Sequence, residues 1–236
     1  MTCSARRVAA LLLFGLAAAT PMAAGEPAST PVARDPGYVF APGPFAPEYA
    51  APEPGSYALS VIRRVHDHAV VEAGGRKATL FEQGTDRVTI VAFVYMSCTE
   101  ATGCPYSMAV LHRLDHDIAS DPELAAKVSL VTVSFDPERD TPKRLAEVRS
   151  LHQPKSDWRF VTTSGDTELA PLLTDFDQRV DKLHFPDGRW SGLFRHVLKV
   201  FLVDREKRVR NAYSVGFLNA ELVLADVKTL LLERGK

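Results

Sequence analysis

Residues 88–95 of this chain (VTIVAFVY) are apolar and largely β-branched almost from end to end, and residues 128–135 (VSLVTVSF) read as a second buried strand. A strand with one wet face alternates apolar and polar residues, whereas a strand covered on both faces does not. The first segment therefore belongs inside a sheet with material packed on each side. Between the two segments, residues 105–118 place Met108, Leu111, Leu114 and Ile118 at helical spacing. Strand, helix and strand in that order read as a parallel crossover unit, which commits the chain to a layered α/β architecture.

The rest of the chain extends that unit. Residues 69–72 and 77–80, split by Gly74-Gly75, read as a β-hairpin. Thr141 as N-cap and Pro142 at the first helical position start a helix that runs to about Leu151. Residues 158–163 form a third strand, and residues 167–177 a helix with Leu169, Leu172, Leu173 and Phe176 on one stripe. Residues 181–195, which include Pro186, Gly188 and Gly192, read as a loop. Residues 196–203 and 209–215 make a strand pair across 204–207, and residues 219–233 close the chain as a helix. The predicted class is α/β with a thioredoxin-like fold: a central mixed sheet flanked by helices, with an N-terminal β-hairpin.

At 236 residues with 46% apolar side chains, the chain can bury a large core without metals or staples. A formal net charge of −1 provides no basic field for a phosphate backbone, so nucleic acid is not an expected partner. Residues 1–25 read as a signal peptide: Arg6 and Arg7, an apolar stretch over 8–19, then small residues with a cleavage site at Ala23-Ala24-Gly25. That stretch is shorter than the roughly 20 residues that span a bilayer, so cleavage is expected; uncleaved, it would serve as an anchor. Residues 26–56 hold half of the 16 prolines and read as a flexible segment ahead of a folded domain over 57–236. Processing would remove Cys3 and leave Cys98 and Cys104 in an oxidising compartment, the periplasm.

Cys98 lies just past the first buried strand, and Cys104 immediately precedes Pro105 at a helix start. Chemistry in open α/β sheets collects beyond the carboxyl ends of the strands. The partial positive charge of a helix N-terminus is expected to stabilise a thiolate and lower the Cys104 pKa. Such a pair can cycle with a disulfide or hold a soft metal such as Cu(I); a plain structural staple is the third reading. The five intervening residues, 99–103 (TEATG), leave all three open. His196, read as the start of a buried strand after a loop, is placed to add an imidazole to two thiolates, or simply to be a strand-end histidine.

Other histidines read as structural. His66 and His68 share a strand face near an edge, and His112 and His116 have metal-compatible spacing on what reads as a surface helix face. His184 is expected to be exposed. Residues 136–142 read as a capped turn, and Asp136 is assigned no catalytic role.

Tyr95-Met96-Ser97-Cys98, Cys104-Pro105, residues 134–142 (SFDPERDTP) and His196 ahead of residues 199–204 (KVFLVD) together resemble the Sco/SenC family. The resemblance covers about residues 57–233. It implies a thioredoxin-fold copper-binding protein that assists assembly of copper sites in respiratory enzymes, notably cytochrome c oxidase. It also implies a copper ion held by Cys98, Cys104 and His196, and a client cuproprotein, such as a cytochrome c oxidase subunit, as partner. The family usually sets its cysteines closer together than this chain does. The alternative is a thiol–disulfide reductase, with Cys98 and Cys104 as its redox-active pair, keeping a client's copper-ligand cysteines reduced. A related peroxidase would need a threonine and arginine around its cysteine, and none is assigned. Metal transfer implies a transient interface, with a monomer as the expected state.

Overall fold

The structure, a computed structural model, describes residues 49–84 and 86–233. The signal peptide read at 1–25 and residues 26–48 of the Pro-rich segment lie outside the described residues. The chain first forms β1 (Arg63–Arg64), β2 (Ala69–Glu72), β3 (Lys77–Thr79) and β4 (Val88–Val94). Two helices, α1 (Cys104–Ser120) and α2 (Pro122–Lys127), lead to β5 (Val128–Ser134), α3 (Pro142–His152), β6 (Trp158–Thr162) and α4 (Asp166–Asp175). Strands β7 (Val180–His184), β8 (Trp190–His196), β9 (Val200–Val203) and β10 (Arg208–Tyr213) precede the closing α5 (Ala220–Leu232).

The two apolar segments pair as predicted. β4 and β5 run parallel from Val88↔Val128 to Val94↔Ser134, and every residue of both is buried. β6 continues the parallel set beyond β5, and β9 flanks β4 antiparallel. The eight-stranded sheet has the order β1-β10-β9-β4-β5-β6-β2-β3, with the predicted hairpin β2–β3 at one edge. Polar side chains inside this sheet satisfy one another: Thr89 Oγ1 lies 3.2 Å from Ser129 Oγ, and Trp158 Nε1 donates to Thr132 Oγ1 at 2.9 Å.

Local chemistry sets the helix ends. Thr141 accepts from the Arg144 amide at the start of α3, and Asn219 accepts from the Glu221 and Leu222 amides at the start of α5. Asp121 caps α2, a short helix that the apolar periodicity did not separate from α1. Ahead of β1, Gly55 N–H donates to Thr229 Oγ1, and the Tyr57 hydroxyl donates to Asp226 at 2.6 Å, which ties this part of the chain to α5.

Two expectations fail between β6 and β9. Residues 181–195 are not a loop: β7 and β8 form an antiparallel two-stranded sheet, with Val180 opposite His196. Pro186 and Gly188 mark only its turn, where Gly188 has φ +84°. β7 is mostly exposed and β8 mostly half-buried, and their apolar residues follow no regular alternation, so they lack the pattern that buried strands show. The second failure follows from the first. His196 ends β8 instead of starting the central-sheet strand, which begins only at Val200.

Candidate metal centre

At the carboxyl end of β4 the chain turns sharply, with Cys98 N–H donating to Tyr95 O at 3.1 Å. The loop then closes through Gly103 N–H to Glu100 O at 2.8 Å, and α1 starts at Cys104 with Pro105 in its first turn. A Cβ on Gly103 would stand 3.2 Å from Glu100 O and 3.4 Å from Cys98 Sγ, so glycine gives the loop room to double back on the sulfur. Both cysteines are free thiols; Cys98 is half-buried and Cys104 only 4% exposed.

His196 arrives from the other direction, at the end of β8. Its ring packs against Phe135 at 5.0 Å and Tyr95 at 5.9 Å between centroids, and its Nδ1 is buried with no hydrogen-bond partner. One ligating atom from each of Cys98, Cys104 and His196 lies within 4.8 Å of the others, the one such group of metal-ligating side chains among the described residues. With metal–sulfur bonds of about 2.3 Å, donors on one ion stand at most about 4.6 Å apart, so enclosing an ion needs sub-ångström closure. Two thiols and an unpartnered imidazole nitrogen form a soft donor set that fits copper in its reduced state.

The electrostatics correct one expectation. The helix start does not lower the Cys104 pKa; burial pushes this thiol up, and the neighbouring Cys98 adds to the effect. Backbone amides pull the other way without prevailing, because removing a thiolate from water costs more than a partial helix charge returns. Burial lowers the His196 pKa, which leaves the imidazole neutral and its nitrogen lone pair available. The Tyr95 phenol, beside both sulfurs, is pushed up to about 12 by burial and by Cys98.

Residues 134–142 tie the two halves of this site together, a role the turn pattern did not disclose. Asp140 accepts from the Met96 amide at 2.8 Å and the Ser134 hydroxyl at 2.6 Å, and Arg144 Nη2 donates to Ser97 Oγ at 3.2 Å, which holds the start of the cysteine loop. Arg139, ion-paired with buried Asp136, places its guanidinium 4.3 Å from the Trp190 ring and 5.7 Å from Phe194, on the strand that carries His196. Gly192 has φ +83°, and a Cβ there would stand 3.3 Å from Arg139 Nη1. Tyr95, Arg139, Trp190 and Gly192 thus shape the site, a role the sequence reading assigned to none of them. Their signal was faint: an arginine in a capped turn and a glycine inside an aromatic stretch.

The remaining histidines stay outside the site. His66 and His68 both contact Asp175, so they are partnered rather than merely solvated. His112 is not on an open helix face; its half-buried ring contacts His152 and Trp158. His116 pairs with Asp117 at the surface, and His184 is exposed at the end of β7.

The SCO1/SenC family profile matches residues 67–232, a span that contains all three converging side chains. The chain belongs to the SCO1/SenC family. That family is known for copper-binding proteins of cytochrome c oxidase assembly. Among solved structures, copper-bound ScoI of Bradyrhizobium japonicum is 20% identical with a TM-score of 0.54, covering 69% of this chain and 97% of that one. An SCO1/SenC family lipoprotein from Bacillus anthracis str. Ames is 20% identical with a TM-score of 0.60, covering 74% and 99%. Apo Sco1 of Thermus thermophilus is 25% identical with a TM-score of 0.59, covering 76% and 98%. These likenesses agree on the thioredoxin-like fold. No curated protein sequence matches the chain.

Proposed function

We propose that this protein is a periplasmic copper metallochaperone: it holds a copper ion through Cys98, Cys104 and His196 and passes it to a copper site in a respiratory or electron-transfer enzyme such as cytochrome c oxidase. The observation that carries this reading is the convergence of two free thiols and an unpartnered imidazole nitrogen within 4.8 Å. Copper bound in ScoI of Bradyrhizobium japonicum, a relative of the same fold, supports the choice of metal. The export signal read at residues 1–25 supports the compartment. On the His196 side, Leu183 and Leu193 line the mouth of a cleft of about 550 Å³ that includes Cys98 and His196. Both leucines are exposed, as a surface that meets a client transiently requires.

Here copper is cargo. Loading displaces the thiol protons, so affinity is set by competition between a soft cation and protons held by burial. The reading is tested by titrating the reduced protein with copper and following thiolate-to-copper charge-transfer absorption. One ion per chain is expected, and stoichiometry near zero refutes the proposal. His196→Ala should abolish copper retention while sparing disulfide exchange; equal loss of both would count against the metal role of the imidazole.

A second reading is favoured by the two thiols being free and adjacent. As a reductase, the pair would give two electrons and two protons to a client disulfide and become a disulfide itself. A solved relative, BsSco, is described as having a disulfide switch. Both roles use the same sulfurs and can act in sequence, the client's cysteines being reduced before they receive metal.

A further inference from the structure

Cys104 is reached from a different side of the site than His196. The cleft that includes His196 is lined by Cys98 but not by Cys104. A second cleft, of about 350 Å³, opens between the cysteine loop, α1 and α3, and its lining includes both Cys98 and Cys104. Met96, Met108, Val148 and His152 are among its other walls. The chain has four methionines, two of them at positions 1 and 22 within the signal segment. The remaining two both line this one cleft.

We infer that the cleft between α1 and α3 is a loading port for Cu(I), in which the thioethers of Met96 and Met108 take the ion first and deliver it to the cysteine sulfurs from the side opposite His196. This inference rests on the copper-binding reading above. Thioethers are soft, neutral ligands that select Cu(I) and carry no proton to be displaced. Cys104 is only 4% exposed, so an ion arriving from bulk water has little direct access to its sulfur. A thioether pair lining the same cleft holds the ion beside that buried sulfur. The transfer conserves charge and oxidation state: Cu⁺ leaves the methionine sulfurs, bonds form to the two cysteine sulfurs, and two protons pass to solvent. The alternative role of the methionines is to fill gaps beside the core, as flexible apolar side chains do. Both are packed for that: Met108 is 9% exposed and Met96 lies against the core.

The test separates these roles. Met96→Leu with Met108→Leu conserves volume and removes both thioethers. Reduced wild-type and double-variant proteins are mixed anaerobically with the acetonitrile complex of Cu(I), and loading is followed by charge-transfer absorption in stopped flow. The expected result is unchanged final stoichiometry and spectrum, with loading slowed at least about tenfold. Equal loading rates overturn the inference. Independently, Ag(I) is added to Cys98→Ser/Cys104→Ser protein carrying ¹³C-methyl methionine. Shifts of both the Met96 and Met108 methyl signals are expected, and unmoved signals overturn the port even if the leucine variant fails to fold. A wild-type protein that takes up no copper would sink the chaperone reading, a separate outcome from unmoved methyl signals.

Discussion

Arg139→Gln tests how the histidine-bearing strand is held at the cysteines. The substitution removes the cation stacked on Trp190 and leaves the Asp136 carboxylate, only 1% exposed, without its ion partner. A cation–π contact of this geometry contributes about 0.5–2 kcal/mol. Stripping the partner from a buried charge costs about 3–5 kcal/mol, less if Asp136 takes up a proton. A total near 3–5 kcal/mol leaves the domain folded, since native stability is about 5–15 kcal/mol. At about 2–4 °C per kcal/mol for a domain of this size, the melting temperature should fall by about 6–20 °C. Arg139→Lys keeps a charge near Asp136 but loses the planar stack, so it should fall by only about 2–4 °C. Thermal unfolding by circular dichroism gives both numbers. Trp190 emission gives the local one, because Trp158 is fully buried and Trp190 is not: acrylamide should quench the Gln variant more strongly. Copper should also leave the Gln variant faster, as β8 carries both Trp190 and His196. A Gln variant that melts within about 2 °C of wild type, with unchanged quenching, would refute the claim that Arg139 holds the hairpin.

Three further outcomes are expected. Gly103 has no left-handed φ, but a Cβ there stands 3.2 Å from Glu100 O and 3.4 Å from Cys98 Sγ, so Gly103→Ala should cost about 1 kcal/mol of stability, shift the cysteine loop and weaken copper retention in a chelator competition. Unchanged retention would show that the loop absorbs the methyl group. Asp115→Ala removes the acceptor for the Lys155 and Ser156 amides and the Ser156 hydroxyl, and should cost about 3 kcal/mol in denaturant unfolding; a cost below about 1 kcal/mol would refute the assignment. Burial and the hydrogen bond to Asp226 push Tyr57 up to about 12, so the folded state holds this proton more tightly than the unfolded chain, where tyrosine titrates near about 10. That stability is complete below pH 10 and is lost as pH rises through 12. Denaturant midpoints measured from pH 9 to 11 should fall, and Tyr57→Phe should flatten the decline; an equally steep fall in the variant would contradict it.

The legible parts of the chain were those whose signal is local. The run over 88–95 announces a strand buried on both faces because only such strands dispense with alternation, and β5 pairs with it as a second fully buried strand. Thr141 announces a helix start because a short oxygen-bearing side chain can satisfy the first free amides without tertiary help. The cysteines were legible as a candidate site from their place beyond the end of a central strand. Hairpin β7–β8 was not, since its partly exposed strands carry mixed residues without alternation and its glycines resemble those of a loop. The direction of the Cys104 shift was misread for a related reason: helix position is written in the sequence, whereas burial depth is set by everything packed around it.

By itself, the sequence determined a parallel crossover core and a pair of thiols at its rim, because burial periodicity and capping act over a few neighbouring residues. Only the tertiary structure decided that His196 meets those thiols. At that meeting Arg139 from one turn lies against Trp190 from a distant strand, with Gly192 leaving space for it, and no pattern within either segment encodes the contact.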